Sequence, residues 1–206
     1  MNIAIAVIAK APRAGHSKTR LTPPCTPQQA AGLAEAALVD TLRVVLATPC
    51  DRRVLVLDGT PGAWLPGGFE VIAQRGAGLD ERLAAAFADI GGPTLLVGMD
   101  TPQLTPALLG TGTAALRAGA AAVLGLADDG GYWAIGLPDC HDALFHGVPM
   151  SADDTGAQQH RRLREHGRDP VLLAPLRDVD HFEDALAAAA LMPSGSFARA
   201  VAELAA

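Results

Sequence analysis

The sequence is short of aromatic side chains, cysteine, lysine and long hydrophobic runs. Aromatics make up 4% of the 206 residues, so a core must be assembled from alanine, leucine and valine. The three cysteines, Cys25, Cys50 and Cys140, stand far apart. Their spacing builds neither a disulfide framework nor a zinc site, which makes a reducing cytoplasm the default compartment. No apolar run approaches the roughly 20 residues of a membrane-spanning helix. The opening MNIAIAVIAK is apolar, but it has no basic leading region and no small-residue cleavage site, so a signal peptide is not expected. Neither GxxxxGKS/T nor, after the first apolar run, GxGxxG occurs, which argues against a P-loop and a dinucleotide fingerprint. GxSxG is also missing, and no cysteine sits in a nucleophile context, so covalent catalysis has little support.

Acids are missing too, from one region only. The chain has formal net charge −6 and a pI near 5.4, which disfavours nucleic acid or an anionic membrane as partner. Residues 1–34 nevertheless hold four Lys or Arg and no Asp or Glu, leaving 12 bases against 22 acids in the rest. The cations gather in IAKAPRAGHSKTRL (8–21), which contains Lys10, Arg13, His16, Lys18 and Arg20. Lys10 and Lys18 are the only lysines; the other 14 bases are arginines. Two compact ammonium groups kept in a segment that also holds Gly15 point to phosphate binding, set against a chance cluster on a solvated loop.

With half of its residues hydrophobic and 18% charged, the sequence reads as one compact α/β domain over 1–206. NIAIAVIA (2–9) suits a strand buried on both faces, as in a parallel sheet. Thr26, Pro27 and Gln29 form a capping-box start for the helix that follows. Strands are predicted at 53–57, 69–74, 93–98, 121–127, 132–138 and 170–174. Helices are predicted at 79–90, after Thr105, near 154–167, and in the Ala-rich segments 180–191 and 196–205, which pack on the core or on a second subunit. DDGG (128–131) reads as a tight hairpin turn. Asp180 is placed as the cap of the penultimate helix, with Glu183 at the box position. GTPGAWLPGG (59–68) reads as a flexible loop. This alternation implies a mostly parallel sheet covered on both faces, with one antiparallel hairpin.

Ligands of open α/β sheets bind outside the carboxyl ends of the strands. Four segments deliver charged groups there: the basic loop, Asp100 in GMDTPQL, Asp128 and Asp129 in the hairpin, and Asp178 and Asp180 in LRDVDHFEDAL. Carboxylates facing phosphates would repel, and a divalent Mg²⁺ or Mn²⁺ reconciles the two sets. The structural alternatives are plain: Asp100 could start a turn, DDGG is a competent hairpin by itself, and Asp180 could serve only as a cap.

KAPRAGHSKTRL, GMDTPQLTPALL, ADDGGYWAIGL and DVDHFEDAL, in that order, resemble the radical-SAM/selenodomain-associated transferase family, filed with nucleotide-diphospho-sugar transferases of the GT-A fold. The resemblance runs nearly end to end. More distantly, the chain is similar to 2-phospho-lactate and molybdenum cofactor guanylyltransferases. The resemblance implies a GT-A-like, Rossmann-type three-layer sandwich. It implies nucleotide phosphate binding by Gly15, Lys18 and Arg20, with Lys10 in the same loop. It implies metal binding by Asp100 and Asp180, and an acceptor pocket bordered by Asp129, Gly130, Gly131 and Tyr132. If Asp180 serves only as a cap, Asp178 is the substitute metal ligand. MSADDT (150–155) departs from the family's tryptophan-containing pattern, which leaves Asp153 a weaker candidate.

The expected function is a metal-dependent transferase with a nucleotide donor. The leading form transfers a glycosyl group from a nucleotide sugar to a small-molecule acceptor. The alternative moves NMP from an NTP to a phosphorylated small molecule, releasing pyrophosphate. A third reading is a nucleotide-binding module without catalysis. Lys18 and Asp129 are the catalytic candidates, Asp129 as base. Trp64 and Trp133 could stack on a base, but packing is the expected role.

Overall fold

In a computed structural model, which describes residues 2–205, seven strands form one sheet. The strands are β1 (Ala4–Lys10), β2 (Arg52–Asp58), β3 (Glu70–Ala73), β4 (Thr94–Val97), β5 (Ala122–Ala127), β6 (Tyr132–Leu137) and β7 (Pro170–Leu176). Their order is β3-β2-β1-β4-β6-β5-β7. β1 is parallel to β2 and to β4, and β6 is antiparallel to both its neighbours. The predicted hairpin is therefore present, and its second strand is inserted between β4 and β5.

Six α-helices flank the sheet among the described residues: α1 (Pro27–Ala47), α2 (Leu79–Ile90), α3 (Pro106–Arg117), α4 (Thr155–Glu165), α5 (Phe182–Leu191) and α6 (Ser196–Ala205). The alternation within β1 explains the layers. Ile3, Ile5 and Val7 point to one face, where they meet Leu38 and Leu42 of α1 and Leu109 and Leu116 of α3. Ala4 and Ala6 point to the other, which packs on Leu83 and Phe87 of α2 and Leu163 of α4. Each face thus buries its own apolar set, and the run that reads as buried on both faces is so. Among the described residues, no helix is long and apolar enough to cross a membrane.

α1 starts as its sequence predicts. Thr26 Oγ1 accepts from the Gln29 amide at 3.2 Å, and Gln29 Oε1 accepts from the Thr26 amide at 2.7 Å. A third apolar cluster joins Leu33 and Ala37 of α1 to Ala185 of α5 and to Phe197 and Val201 of α6. The Ala-rich C-terminal helices therefore cover the chain's own α1. Asp40, buried in α1, accepts from the Phe197 amide at 2.8 Å and so holds the first turn of α6.

One capping expectation fails. α5 begins one residue later than the Asp180 cap requires: His181 is the cap, and its amide donates to Asp184 Oδ2 at 2.9 Å. With Asp184 on the cap amide, the Asp180 carboxylate stays outside the helix and pairs with Arg20 instead. Trp133 is buried, with its Nε1 donating to the Ala174 carbonyl at 3.2 Å, and Trp64 packs on the α1 side of the core. Gly125 lies under the Trp133 ring, where a Cβ would come within 2.4 Å. That close approach is why a glycine stands inside β5.

Candidate active site

Between β1 and β4 the strand order reverses direction, and the carboxyl ends of the two strands part at a crevice. A cavity of about 780 Å³ opens there, within the range of small-molecule and nucleotide sites. β1 delivers Lys10, and the loop after it delivers His16, Lys18 and Arg20. β4 delivers Asp100, the hairpin Asp129, and the chain after β7 Asp178 and Asp180.

The basic loop is fixed from below. Leu21, fully buried, ends a short 3-10 turn (Thr19–Leu21) and inserts into the α1/α5/α6 cluster. Burying a leucine is worth about 1.5–3 kcal/mol, enough to anchor the segment. Ser17 Oγ accepts from the Arg13 amide at 3.0 Å, closing the upstream turn. Lys18 then takes a left-handed backbone conformation, with φ 48° and ψ 44°. Among the described residues, Lys18 and Ser151 (φ 61°) are the two non-glycine residues with positive φ, and both line the cavity. Such strain costs on the order of 1–3 kcal/mol and collects at functional sites.

The left-handed turn aims Lys18 inward. Its Nζ lies 2.5 Å from Asp100 Oδ1 and also donates to the Val179 carbonyl. The Val179 amide in turn donates to the Asp100 carbonyl at 3.0 Å. β1's loop, β4's end and the segment after β7 are therefore tied at one point. Burial pulls the Lys18 ammonium down, but Asp100, then Asp178 and Asp180, outweigh it and leave its pKa above the usual value. Lys18 stays charged at any physiological pH. Arg20 pairs with Asp180 at 2.5 Å in a more exposed setting.

Asp178 shows the electrostatic imbalance. Burial, then the carboxylates of Asp100, Asp129 and Asp180, push its pKa to about 7 against the lowering effect of Lys18. The cluster holds more negative charge than its cations neutralise, and hard carboxylate oxygens are the donors Mg²⁺ and Mn²⁺ take. Among the described residues, no three His, Cys, Asp or Glu side chains close into a complete cage. One or two carboxylates, with phosphate oxygens and waters, suffice for Mg²⁺, so the donor set fits such an ion.

The structure brings most of the sequence candidates together and separates a few. Lys10, Lys18, Arg20, Asp100, Asp129, Gly131, Tyr132 and Asp180 all line the cavity. Gly15, with φ 76°, makes an exposed turn of the basic loop and does not line it. Gly130 lies beneath the wall, not on it. Asp128 does not line the cavity either; its carboxylate faces Arg177 at 4.0 Å. Asp129 does two things: its Oδ1 accepts from the Gly131 amide at 2.9 Å, and its side chain borders the cavity. Burial, then Asp80, push the Tyr132 phenol above its usual pKa, so it stays neutral. Its hydroxyl turns to Gln159 at 3.4 Å, leaving the ring to face the cavity.

Sequence reasoning gave the 150–155 stretch little weight, yet Met150, Ser151, Ala152, Asp153 and Thr155 form one wall. The missed signal is the pair of glycines before Tyr132. A Cβ on Gly130 would lie 1.7 Å from the Asp153 carbonyl oxygen, and the Gly156 amide donates to the Gly130 carbonyl at 2.8 Å. DGG is thus the seat of this wall. Gly130→Ala, at φ 91° and without space, should destabilise the protein by about 3 kcal/mol in urea unfolding. Gly15→Ala, where nothing lies within 4 Å, should cost about 1 kcal/mol. Equal losses at both positions would contradict the seating role of Gly130.

Residues 26–152, more than half of the chain, match a family described as an uncharacterized protein conserved in bacteria (DUF2064). The chain belongs to the DUF2064 family. No curated protein matches the sequence of this DUF2064 chain. Its structure is similar to that of a protein of Desulfovibrio desulfuricans G20 assigned provisionally to the nucleotide-diphospho-sugar transferases. The two are 25% identical with a TM-score of 0.86, over 98% of this chain and 95% of the other. It is also similar, at 11% identity and TM-score 0.59, to CMP:2-keto-3-deoxy-manno-octonic acid synthetase complexed with CTP, over 94% and 99% of the two chains. A third similar structure is Rv0371c of Mycobacterium tuberculosis H37Rv in complex with manganese, 22% identical with TM-score 0.55, over 91% and 97%. The DUF2064 chain therefore has the fold of nucleotide-using transferases.

Proposed function

We propose that this protein is a metal-dependent transferase that moves a glycosyl group from a nucleotide-diphospho-sugar to a small acceptor. The observation that carries the reading is the meeting of Lys18–Asp100 and Arg20–Asp180 at the carboxyl ends of β1, β4 and β7. Cations for a diphosphate and carboxylates for a divalent ion stand there side by side. With Asp100 and Asp180 turned to the ion, Lys10, Lys18 and Arg20 are left for the phosphates, a complement that suits two. The Desulfovibrio protein's description agrees with this.

Lys10, Lys18 and Arg20 hold the diphosphate and stabilise the charge it gains as the glycosyl C–O bond breaks. The acceptor oxygen attacks the anomeric carbon, the bonding pair leaves with the diphosphate, and the acceptor proton passes to Asp129. Asp100 and Asp180, with Asp178 beside them, would hold Mg²⁺ or Mn²⁺, which supplies further positive charge to the leaving group. Gly131 and Tyr132 border the acceptor, beside the 150–155 wall seated on Gly130.

A second reading, nucleotidyl transfer from an NTP to a phosphorylated acceptor, is favoured by one observation: the fold is shared with a synthetase that binds CTP. Product analysis separates the two. The glycosyl reading expects release of a nucleoside diphosphate from one nucleotide sugar with Mg²⁺ or Mn²⁺. Pyrophosphate released from an NTP in the presence of a phosphorylated acceptor would overturn it in favour of the second reading.

A further inference from the structure

Thr101 follows Asp100 in the GMDTPQL segment and lines the cavity. It is only 1% exposed, and its Oγ1 is buried without a hydrogen-bond partner. A buried hydroxyl has one proton to donate and two lone pairs, and leaving it unpaired costs about 1–3 kcal/mol. Other buried hydroxyls of this chain are paired: Thr41 Oγ1 donates to the Ala37 carbonyl at 3.0 Å, and Thr155 Oγ1 to the Pro149 carbonyl at 2.9 Å. The carbonyls on either side of the Thr101 amide bond elsewhere: that of Asp100 accepts from the Val179 amide and that of Thr101 from the Leu104 amide, and Thr101 Oγ1 donates to neither. Valine would fill the same volume without an unpaired group, so the hydroxyl is a cost the apo fold does not need.

We propose that Thr101 Oγ1 is a ligand-binding group that donates a hydrogen bond to a phosphoryl oxygen of the bound nucleotide. This inference rests on the nucleotide reading of the cavity. Its position selects the phosphate end of the ligand: Thr101 is bonded to Asp100, whose carboxylate holds Lys18, the innermost cation of the basic loop. A phosphoryl oxygen drawn to Lys18 would meet this hydroxyl, once a small rotation of the side chain uncovers Oγ1, in a buried, poorly solvated setting. A hydrogen bond to a charged acceptor is strongest there.

The test compares wild type, Thr101→Val and Thr101→Ser. Calorimetric titration uses ATP, CTP, GTP, UTP and UDP-glucose with Mg²⁺, each beside its unphosphorylated nucleoside, and urea unfolding is measured without ligand. For the phosphorylated ligand that wild type binds best, Thr101→Val should weaken affinity about tenfold, and Thr101→Ser should restore most of it. Nucleoside affinity should not change. Without ligand, Thr101→Val should be at least as stable as wild type, because an unpaired buried hydroxyl is removed. Unchanged phosphorylated-ligand affinity in Thr101→Val, with wild type binding normally, overturns the role of Thr101 and leaves the nucleotide reading standing. Loss of stability without ligand overturns it as well, by showing that the hydroxyl serves the fold. If wild type binds none of the ligands, the nucleotide reading falls, and this inference with it.

Discussion

Lys18→Ala should abolish turnover, by at least about a hundredfold, and should also weaken the fold by about 2–3 kcal/mol. Both effects come from one geometry. The ammonium spans Asp100 and the Val179 carbonyl, so its removal leaves the Asp100 carboxylate beside Asp178 with no compensating charge. Breaking a buried pair from one side costs about 3–5 kcal/mol, and the partial exposure of Asp100 lowers that figure here. Removal of a preorganised cation from a developing phosphate charge accounts for the loss of rate. Lys18→Arg should not rescue. A guanidinium is broader than an ammonium and cannot enter a slot bounded by a backbone carbonyl and a carboxylate at contact distance. Arg20→Lys, at a more exposed pair, should lose far less. Steady-state rates and urea unfolding of the three variants check this order, and a Lys18→Arg protein with near-native activity would contradict it.

The second large effect is a pH dependence of stability carried by Asp178. Its folded pKa, near 7, stands above the ordinary carboxylate value of 3.8 because burial and three other carboxylates oppose its charge. The folded state therefore binds this proton more tightly than the unfolded chain does. The resulting stabilisation is fully present below about pH 4 and is lost as pH rises through about 7. Asp178→Asn keeps the neutral form at all pH values. Against wild type, it should be nearly neutral at pH 4 and more stable by about 2 kcal/mol at pH 8. Mg²⁺ or Mn²⁺ should narrow that gap at pH 8 by stabilising the wild type and should do little at pH 4. Urea unfolding across pH 4–8, with and without metal, reads all of this. A difference between the two proteins that does not change with pH would refute the burial and charge crowding assigned to Asp178.

Much of this site can be read in the sequence because its parts sit where strand ends must be. A run buried on both faces followed by Lys, Arg and Gly fixes the phosphate end, and LLVGMD fixes Asp100 at the mouth of the neighbouring strand. Thr26, Pro27 and Gln29 state the start of α1 in local hydrogen-bonding chemistry, and the structure agrees to the residue. Asp180 shows where local chemistry misleads. Two acids, Glu183 and Asp184, compete for one capping position, and only the path of the chain after β7 selects Asp184. That one-residue shift frees Asp180 for Arg20. The wall at 150–155 was hidden for a related reason. Its place depends on a backbone contact between Gly130 and Asp153, and contact between residues distant in sequence leaves no periodicity. The significance of Thr101 was invisible as well, since an unpaired hydroxyl is defined by the neighbours it lacks.

The central claim is that one cavity holds a nucleotide's phosphates and a divalent ion together. Calorimetric titration of NTPs and nucleotide sugars, each with and without Mg²⁺ and Mn²⁺, addresses it directly. The account predicts binding of one nucleotide class, strengthened at least tenfold by metal, with the metal dependence lost in Asp100→Asn. Failure of every nucleotide to bind under either metal, or a metal effect unchanged in Asp100→Asn, would contradict it.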